Sequence, residues 1–281
     1  MAIRLIALDL DGTLLTSAKT ISPADRAAVE AAIAGGVLVV PVTGRPAQGV
    51  PKEVLDLPGV RYVISSNGAT IRDVVTGETL LETHLEAETA LEVLAASGHV
   101  TMIREAFRAG VGYLSQADYD ILCDRYEGAM LAYVLDTRQV VPGTLEDFLR
   151  EDPRPIEELF FLTDSEQTKL DLQRTLSALP GIGFADPFPH DLEVMAGGID
   201  KGEGLRFLLD RLGIDPAETM AVGDGGSDLP MLRAAGIGVA MGNATESVRA
   251  GADWVTSTND ENGVAAAIEK FVLNKEEPDA D

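Results

Sequence analysis

Two aspartates two residues apart, Asp9 and Asp11, close a nearly continuous apolar run, Ile3-Arg4-Leu5-Ile6-Ala7-Leu8, and are followed by Gly12 and Thr13. A carboxylate at the end of a buried strand loses hydration, which is costly unless it binds a metal or is well hydrogen-bonded. Residues two apart in extended backbone leave the strand on the same side. The carboxyl ends of parallel strands are also where α/β sheets bind ligands. Gly12 lets the backbone come close to a bound anion. The same residues fit an ordinary strand-to-turn exit, because Asp-Gly is a common turn dipeptide.

Other residue types offer less. His84, His99 and His190 are scattered and show no ligand spacing. Gly110-x-Gly112 and Gly181-x-Gly183 lack the full dinucleotide fingerprint, and no Gly-x4-Gly-Lys-Ser/Thr loop is present. Arg104, Arg108 and Tyr113 can either face a substrate or serve as ordinary surface residues. Cys123 is the only cysteine, so no intrachain disulfide and no thiolate metal cluster can form.

The formal net charge of −24 argues against a nucleic-acid partner and against anionic lipid, both of which need clustered Lys and Arg. Such acidity speaks to solubility rather than to fold. If the chain handles phosphate, its pocket must gather positive potential locally, from a metal, a lysine and backbone amides. No apolar run approaches the roughly 18 residues of a membrane span, and no long apolar leader follows Arg4, so a cytoplasmic location is expected.

At 281 residues, two domains are expected. The first segment reads as a strand buried on both faces. Ser22-Pro23 opens a helix as N-cap and first helical residue, with Asp25 in the first turn, and Gly35-Gly36 end it. Val37 to Val40 reads as a second buried strand ending at Pro41-Val42-Thr43-Gly44, and Arg61 to Ser65 as a third before the turn Asn67-Gly68. The last part repeats this grammar. Asp200-Lys201 precedes a helix closed by Gly213, and Thr219 to Val222 forms a strand stopping at Gly223-Asp224. A helix from Leu229, a strand over Ile237 to Ala240 and further helices over Glu246 to Ala250 and Gly263 to Val272 surround Trp254-Val255. Strands alternating with helices predict a doubly wound parallel α/β sheet. The middle differs: a helix near Ala87 to Ala96, the alternating stretch Met130 to Leu135, the run Leu159 to Leu162 and a helix near Glu166 to Leu179. It reads as an inserted α+β domain over 81–189, carried by a core of 1–80 plus 190–281 whose last residues, 274–281, form an acidic flexible tail.

Four segments in this order resemble the haloacid dehalogenase superfamily. They are Asp9-Leu10-Asp11-Gly12-Thr13, the strand Val39-Val40-Pro41-Val42 ending in Thr43, Lys201 ahead of a helix, and Gly223-Asp224-Gly225-Gly226-Ser227-Asp228. Thr43-Gly44-Arg45-Pro46, Ser66-Asn67-Gly68-Ala69, Leu192-Glu193-Val194-Met195 and Ala240-Met241-Gly242-Asn243-Ala244 look like its Cof-type branch. The insert between the second and third motifs then resembles a type II cap.

The resemblance covers nearly the whole chain and implies a magnesium-dependent phosphatase acting on small phosphate esters, such as sugar phosphates or a phosphorylated cofactor. It implies Asp9 as nucleophile, forming an aspartyl-phosphate, and Asp11 as general acid and then base. Mg2+ would be held by Asp9, the backbone carbonyl of Asp11 and Asp224, with Asp228 behind them. Thr43, Lys201 and N–H groups near Leu10 would bind phosphate oxygens, and Gly44, Arg45, Asn67 and Ser227 would complete the substrate side. Ser227 stands where the branch usually carries asparagine, and serine is shorter. A monomer or homodimer is expected. The same core could serve a sugar phosphomutase or a regulatory protein that only binds phosphometabolites.

Overall fold

In a computed structural model, residues 2–98, 103–185 and 190–273 are described. The proposed acidic tail and His99 lie outside them. The chain runs β1 (Leu5–Leu8), α1 (Pro23–Ala34), β2 (Leu38–Pro41), α2 (Lys52–Leu55), β3 (Tyr62–Ser65), β4 (Thr70–Asp73) and β5 (Thr79–Glu82). It continues through α3 (Ala87–Ser97), β6 (Ile103–Arg108), β7 (Val111–Ser115), α4 (Gln116–Arg125), α5 (Gly128–Thr137), β8 (Arg138–Val141) and α6 (Leu145–Glu151). Then come β9 (Glu158–Leu162), α7 (Glu166–Leu176), β10 (Ile182–Ala185) and β11 (Asp191–Ala196). The last part holds α8 (Lys201–Leu212), β12 (Thr219–Gly223), α9 (Leu229–Ala234), β13 (Ile237–Ala240), α10 (Glu246–Ala250), β14 (Trp254–Val255) and α11 (Gly263–Phe271).

The chain divides into two compact units, residues 1–43, 51–80 and 200–281, and residues 44–50 with 81–199. In the first unit a five-stranded sheet has the order β14-β13-β12-β1-β2, and every pairing in it is parallel. This is the α/β architecture that the strand–helix alternation predicts. Leu5, Ile6, Ala7 and Leu8 are all fully buried, as a central parallel strand requires. Helix α1 starts where Ser22 accepts a hydrogen bond from the Asp25 N–H, with Pro23 at its first position. Asp25 also accepts from the Ala265 N–H at 2.7 Å, tying α1 to α11.

Strand β3 does not extend the parallel ladder beyond an isolated parallel bridge from Val42 to Ile64; it turns into an antiparallel pair with β4, with β5 flanking β4. The turn between β3 and β4 is unusual. Ser66 and Asn67 both have positive φ (46° and 50°), and Gly68 follows at 100°. The three are fully buried against the start of α8, and a Cβ on Gly68 would lie 2.3 Å from the Asp200 carbonyl oxygen. A glycine is required there on both counts.

The second unit is a six-stranded sheet, β10-β11-β9-β6-β7-β8, with one parallel pairing, β7 to β8, among antiparallel ones. Leu159, Phe161, Leu192 and Val194 pack one face against residues of α3, α6 and α7, and Ile103, Leu114 and Leu162 pack the other against Leu122 and Val134. Two boundaries differ from the sequence pattern. Strand β11 pairs with β9 and β10, so this unit runs to Ile199 rather than stopping at 189; the alternation of Leu192 and Val194 with Glu193 suits a sheet of this kind. Residues 44–50 also belong to it, where the Arg45 guanidinium lies 4.6 Å from the Tyr133 ring centre and donates to the Gly49 carbonyl at 2.9 Å. The stretch Met130 to Leu135, which alternation marks as extended, is part of helix α5. Its buried positions Val134 and Thr137 are three apart, a helical spacing, and Ala, Met and Leu favour that state.

Because Gly68 packs directly on Asp200, Gly68→Ala should destabilise the first unit by about 2–4 kcal/mol, combining the left-handed penalty with backbone overpacking. Urea unfolding followed by fluorescence checks this; a change below about 0.5 kcal/mol, the range of neutral surface substitutions, would contradict it.

Candidate functional site

Asp9 follows directly on β1, and its N–H bonds to the Val222 carbonyl of β12, at 3.0 Å. Asp224 follows directly on β12. Two carboxylates are thus brought to the same edge by adjacent parallel strands. Lys201 is the first residue of α8, whose N-cap Asp200 accepts from the Glu203 N–H. Its Nζ donates to Asp9 Oδ1 at 2.7 Å and to Asp228 Oδ1 at 2.6 Å. The other Asp228 oxygen accepts the N–H groups of Asp224 and Gly225, at 3.0 and 2.9 Å. Both Asp228 oxygens are therefore engaged within the protein. Asp9, Lys201 and Asp228 are 5%, 3% and 1% exposed.

Carboxylate oxygens of Asp9, Asp224 and Asp228 all lie within 4.8 Å of one another. Three carboxylates against one ammonium leave two negative charges uncompensated in a buried place. Burial first, then Asp228 and Asp224, push the Asp9 carboxyl well above the usual range against the pull of Lys201. Burial and Asp228 raise Asp224 to about 6. Burial acts against the charged form of Lys201, yet Asp228 and Asp9 hold it above the ordinary lysine value. Asp9 Oδ2 is buried and makes no hydrogen bond. An orphaned oxygen amid excess negative charge fits a hard divalent cation, for which oxygen ligands are the natural donors.

Two residues that the motifs contain, but that had no assigned role, orient Asp224. Thr13 Oγ1 donates to Asp224 Oδ1 at 3.3 Å. Asn243 Nδ2 donates to Asp224 Oδ2 at 3.2 Å and to the Gly12 carbonyl at 2.9 Å. Gly12 has φ +81°, and a Cβ there would lie 2.3 Å from Asp224 Oδ2. The signal was present in Asp-x-Asp-Gly-Thr and Met241-Gly242-Asn243, but spacing alone does not say which carboxylate such donors reach.

The remaining residues separate into two groups. Leu10 is buried within the turn after β1, its carbonyl accepting from Leu15 at 2.9 Å. Thr43 is buried just beyond β2, its N–H on the Ile64 carbonyl and its carbonyl on the Asn67 N–H. Ser227 is half-buried in the single turn Gly226–Asp228. Asp11 is partly exposed and pairs with Lys19 at 2.6 Å. Gly44 and Arg45 fall in the second unit. Arg104 and Tyr113 pack there on α6, through Glu146 at 2.6 Å and a ring stack with Phe148 at 4.8 Å, and Arg108 binds Asp152 at 3.0 Å, so all three knit the unit together. His84 and His190 are not part of the Asp9–Asp224–Asp228 group.

Residues 6–268 match the haloacid dehalogenase-like hydrolase family. The chain belongs to that family. Phosphatase YwpJ of Bacillus subtilis is 31% identical, over 93% of this chain and 97% of its own length. The 5-amino-6-(5-phospho-D-ribitylamino)uracil phosphatase YcsE of the same organism is 30% identical over 96% of each chain. A haloacid dehalogenase-like hydrolase from B. subtilis superposes with a TM-score of 0.85 at 28% identity, over 96% of this chain and all (100%) of the other. A subclass IIB sugar phosphatase of the superfamily superposes at 0.82 and 25% identity, over 95% and 98%. The chain is an enzyme, a haloacid dehalogenase-like phosphatase. No helix among the described residues is long and apolar enough to cross a membrane.

A carboxyl raised on folding keeps its proton where the unfolded chain has lost it, so its contribution to stability declines as pH rises through about 6 for Asp224. A bound cation must displace that proton. The rise in melting temperature on adding a divalent cation should therefore grow between about pH 5 and about pH 7. Asp224→Asn should flatten that dependence. Thermal melts with and without cation test it, and an equal rise at both pH values would show that no raised carboxyl meets the ion.

Proposed function

We propose that the chain is a magnesium-dependent phosphatase that hydrolyses small phosphorylated metabolites, sugar phosphates or a phosphorylated cofactor, through an aspartyl-phosphate on Asp9. One observation carries the reading: Asp9 is held by Lys201 through one oxygen while its other oxygen is buried without a partner. A carboxylate held on one oxygen by an ammonium, with its second oxygen left for a cation, is kept in one orientation for attack on phosphorus. The relatives that act on a phosphoribityl compound and on sugar phosphates support the substrate class.

Asp9, Asp224 and the backbone carbonyl of Asp11 would hold Mg2+, with Asp228 behind them clamping Lys201 and the Asp224 loop. A bound Mg2+ would neutralise the carboxylates and polarise the phosphoryl oxygens. In the first step an Asp9 oxygen attacks phosphorus, the ester P–O bond breaks, and the Asp11 carboxyl gives its proton to the leaving oxygen. Water then attacks phosphorus, its proton passes to the Asp11 carboxylate, and the bond to Asp9 breaks, releasing inorganic phosphate. Lys201 and Thr43 bind the non-bridging oxygens, with Leu10 contributing its backbone. Ser227 and Asn67 finish the phosphate side. The second unit, with Gly44 and Arg45, would act as a cap that selects the leaving group.

Asp9→Asn should lower turnover by about 10³-fold or more while the fold persists, because the amide keeps the volume and loses the nucleophile. Asp11→Asn should lower kcat/KM for an alkyl phosphate by about 10²–10⁴-fold. For an aryl phosphate, whose leaving group needs no proton, kcat/KM should fall far less. Excess chelator should stop turnover and Mg2+ restore it. Steady-state kinetics on both esters decide the matter: near-wild-type rates in Asp9→Asn would end the covalent mechanism, and equal losses on both esters would end the acid role of Asp11.

A further inference from the structure

Lys19 has no place in the scheme so far, yet its Nζ lies 2.6 Å from Asp11 Oδ1. Most lysine pairs at the surface are weak, because a long side chain must be ordered to make them. This one is delivered differently. Lys19 sits in a left-handed backbone conformation, φ 61°, unusual for a residue with a Cβ. The loop that carries it is closed by the Thr16 N–H on the Thr20 carbonyl at 2.9 Å and the Lys19 N–H on the Thr16 carbonyl at 2.8 Å. Leu15 and Ile21 form an antiparallel bridge at its base. Its far side is pinned where the Ser17 N–H and hydroxyl donate to Asp260 at 2.8 and 2.7 Å. A backbone state of this kind persists only where surrounding bonds hold it, so the loop presents Lys19 from one fixed place.

We propose that Lys19 is a positioning residue for Asp11, fixing its carboxylate outside the Asp9–Asp224–Asp228 group so that it can take the proton of the attacking water. The ion pair holds one oxygen, Asp11 Oδ1, in a fixed place and leaves the other to meet the water. There the water oxygen bonds to phosphorus, its proton goes to Asp11, and the Asp9–phosphorus bond breaks. Lys19 transfers no proton; it limits the rotation of a partly exposed side chain. The inference rests on the acid–base reading of Asp11.

The test follows p-nitrophenyl phosphate in the complete, Mg2+-loaded enzyme by rapid mixing, with acid quench and mass spectrometry for the phosphoryl group on Asp9. Asp11→Asn serves as reference. Its first step is spared and its second is slowed, so a burst of nitrophenolate and accumulated phosphoenzyme are expected. Lys19→Met should give the same pattern in weaker form, with the steady rate lowered about ten- to hundredfold, as for a misplaced catalytic group. Lys19→Gly relaxes the backbone and deletes the amine, and should accumulate phosphoenzyme likewise; Lys19→Arg should restore the steady rate in large part. If Asp11→Asn accumulates phosphoenzyme and neither Lys19→Met nor Lys19→Gly exceeds wild type, the Asp11 reading stands and the role of Lys19 falls. If Asp11→Asn itself accumulates none, both fall together. A loss in Lys19→Met that slows burst and steady phases alike, without rescue by arginine, assigns Lys19 to loop structure and also overturns the proposal.

Discussion

Three carboxylates crowd one ammonium at the carboxyl ends of β1 and β12, and the negative charge left over governs what surrounds them. Like charges at this distance, away from water, raise each other's proton affinity. The protein answers with donors of fixed geometry. Two backbone N–H groups meet Asp228, while Thr13 and Asn243 meet Asp224. These distribute the charge without removing it. Asp9 Oδ2 receives nothing from the described residues, so part of the excess rests on a buried oxygen without a donor.

That local surplus stands apart from the net charge of −24 spread over the chain. At physiological ionic strength, exposed charges are screened over about 8 Å, so the surface weakens the approach of an anion more than it disturbs a buried site. Lys201 matters because it is held where screening is small. Asp228 keeps it there on one oxygen while gripping the loop that carries Asp224 with the other, so a single side chain sets the positions of both a cation and a carboxylate.

The parallel core was readable because its signals are local. Unbroken apolar runs, an N-cap with proline at Ser22-Pro23 and Gly213 as the closing residue of α8 each need only a few neighbours in the chain. The left-handed C-cap at Gly213, φ 63°, is such a case. Asp9 and Asp224 were likewise marked by their places at strand ends, and Asp228 by the motif Gly223-Asp224-Gly225-Gly226-Ser227-Asp228. Other features depend on partners far away in sequence. Helix α5 was read as extended from Met130 to Leu135, because a stretch apolar at nearly every position lets alternation and helical spacing fit alike. Strand β11 looked like part of the returning core until its antiparallel neighbours β9 and β10 claimed it. Asn243 meets Gly12 across 231 positions of chain, and no spacing rule reaches that far.

Rigidity is graded across the site in a way that matches the proposed roles. Asp9, Lys201 and Asp228 belong to strand and helix ends of the first unit and are almost wholly buried, so their positions are set by the sheet itself. A nucleophile and its fixed counter-charge need that constancy, since attack tolerates little misplacement. Asp11 stands two residues further on, past the end of β1, with 23% of its side chain exposed. The group that must first face a leaving oxygen and then a water cannot be sealed away, because both have to reach it. Partial exposure removes some of the restraint that packing gives, and proton transfer needs a defined geometry. A cation on a pinned loop is a direct physical remedy: it restrains one oxygen of the carboxylate and leaves the group at the boundary between buried charge and solvent.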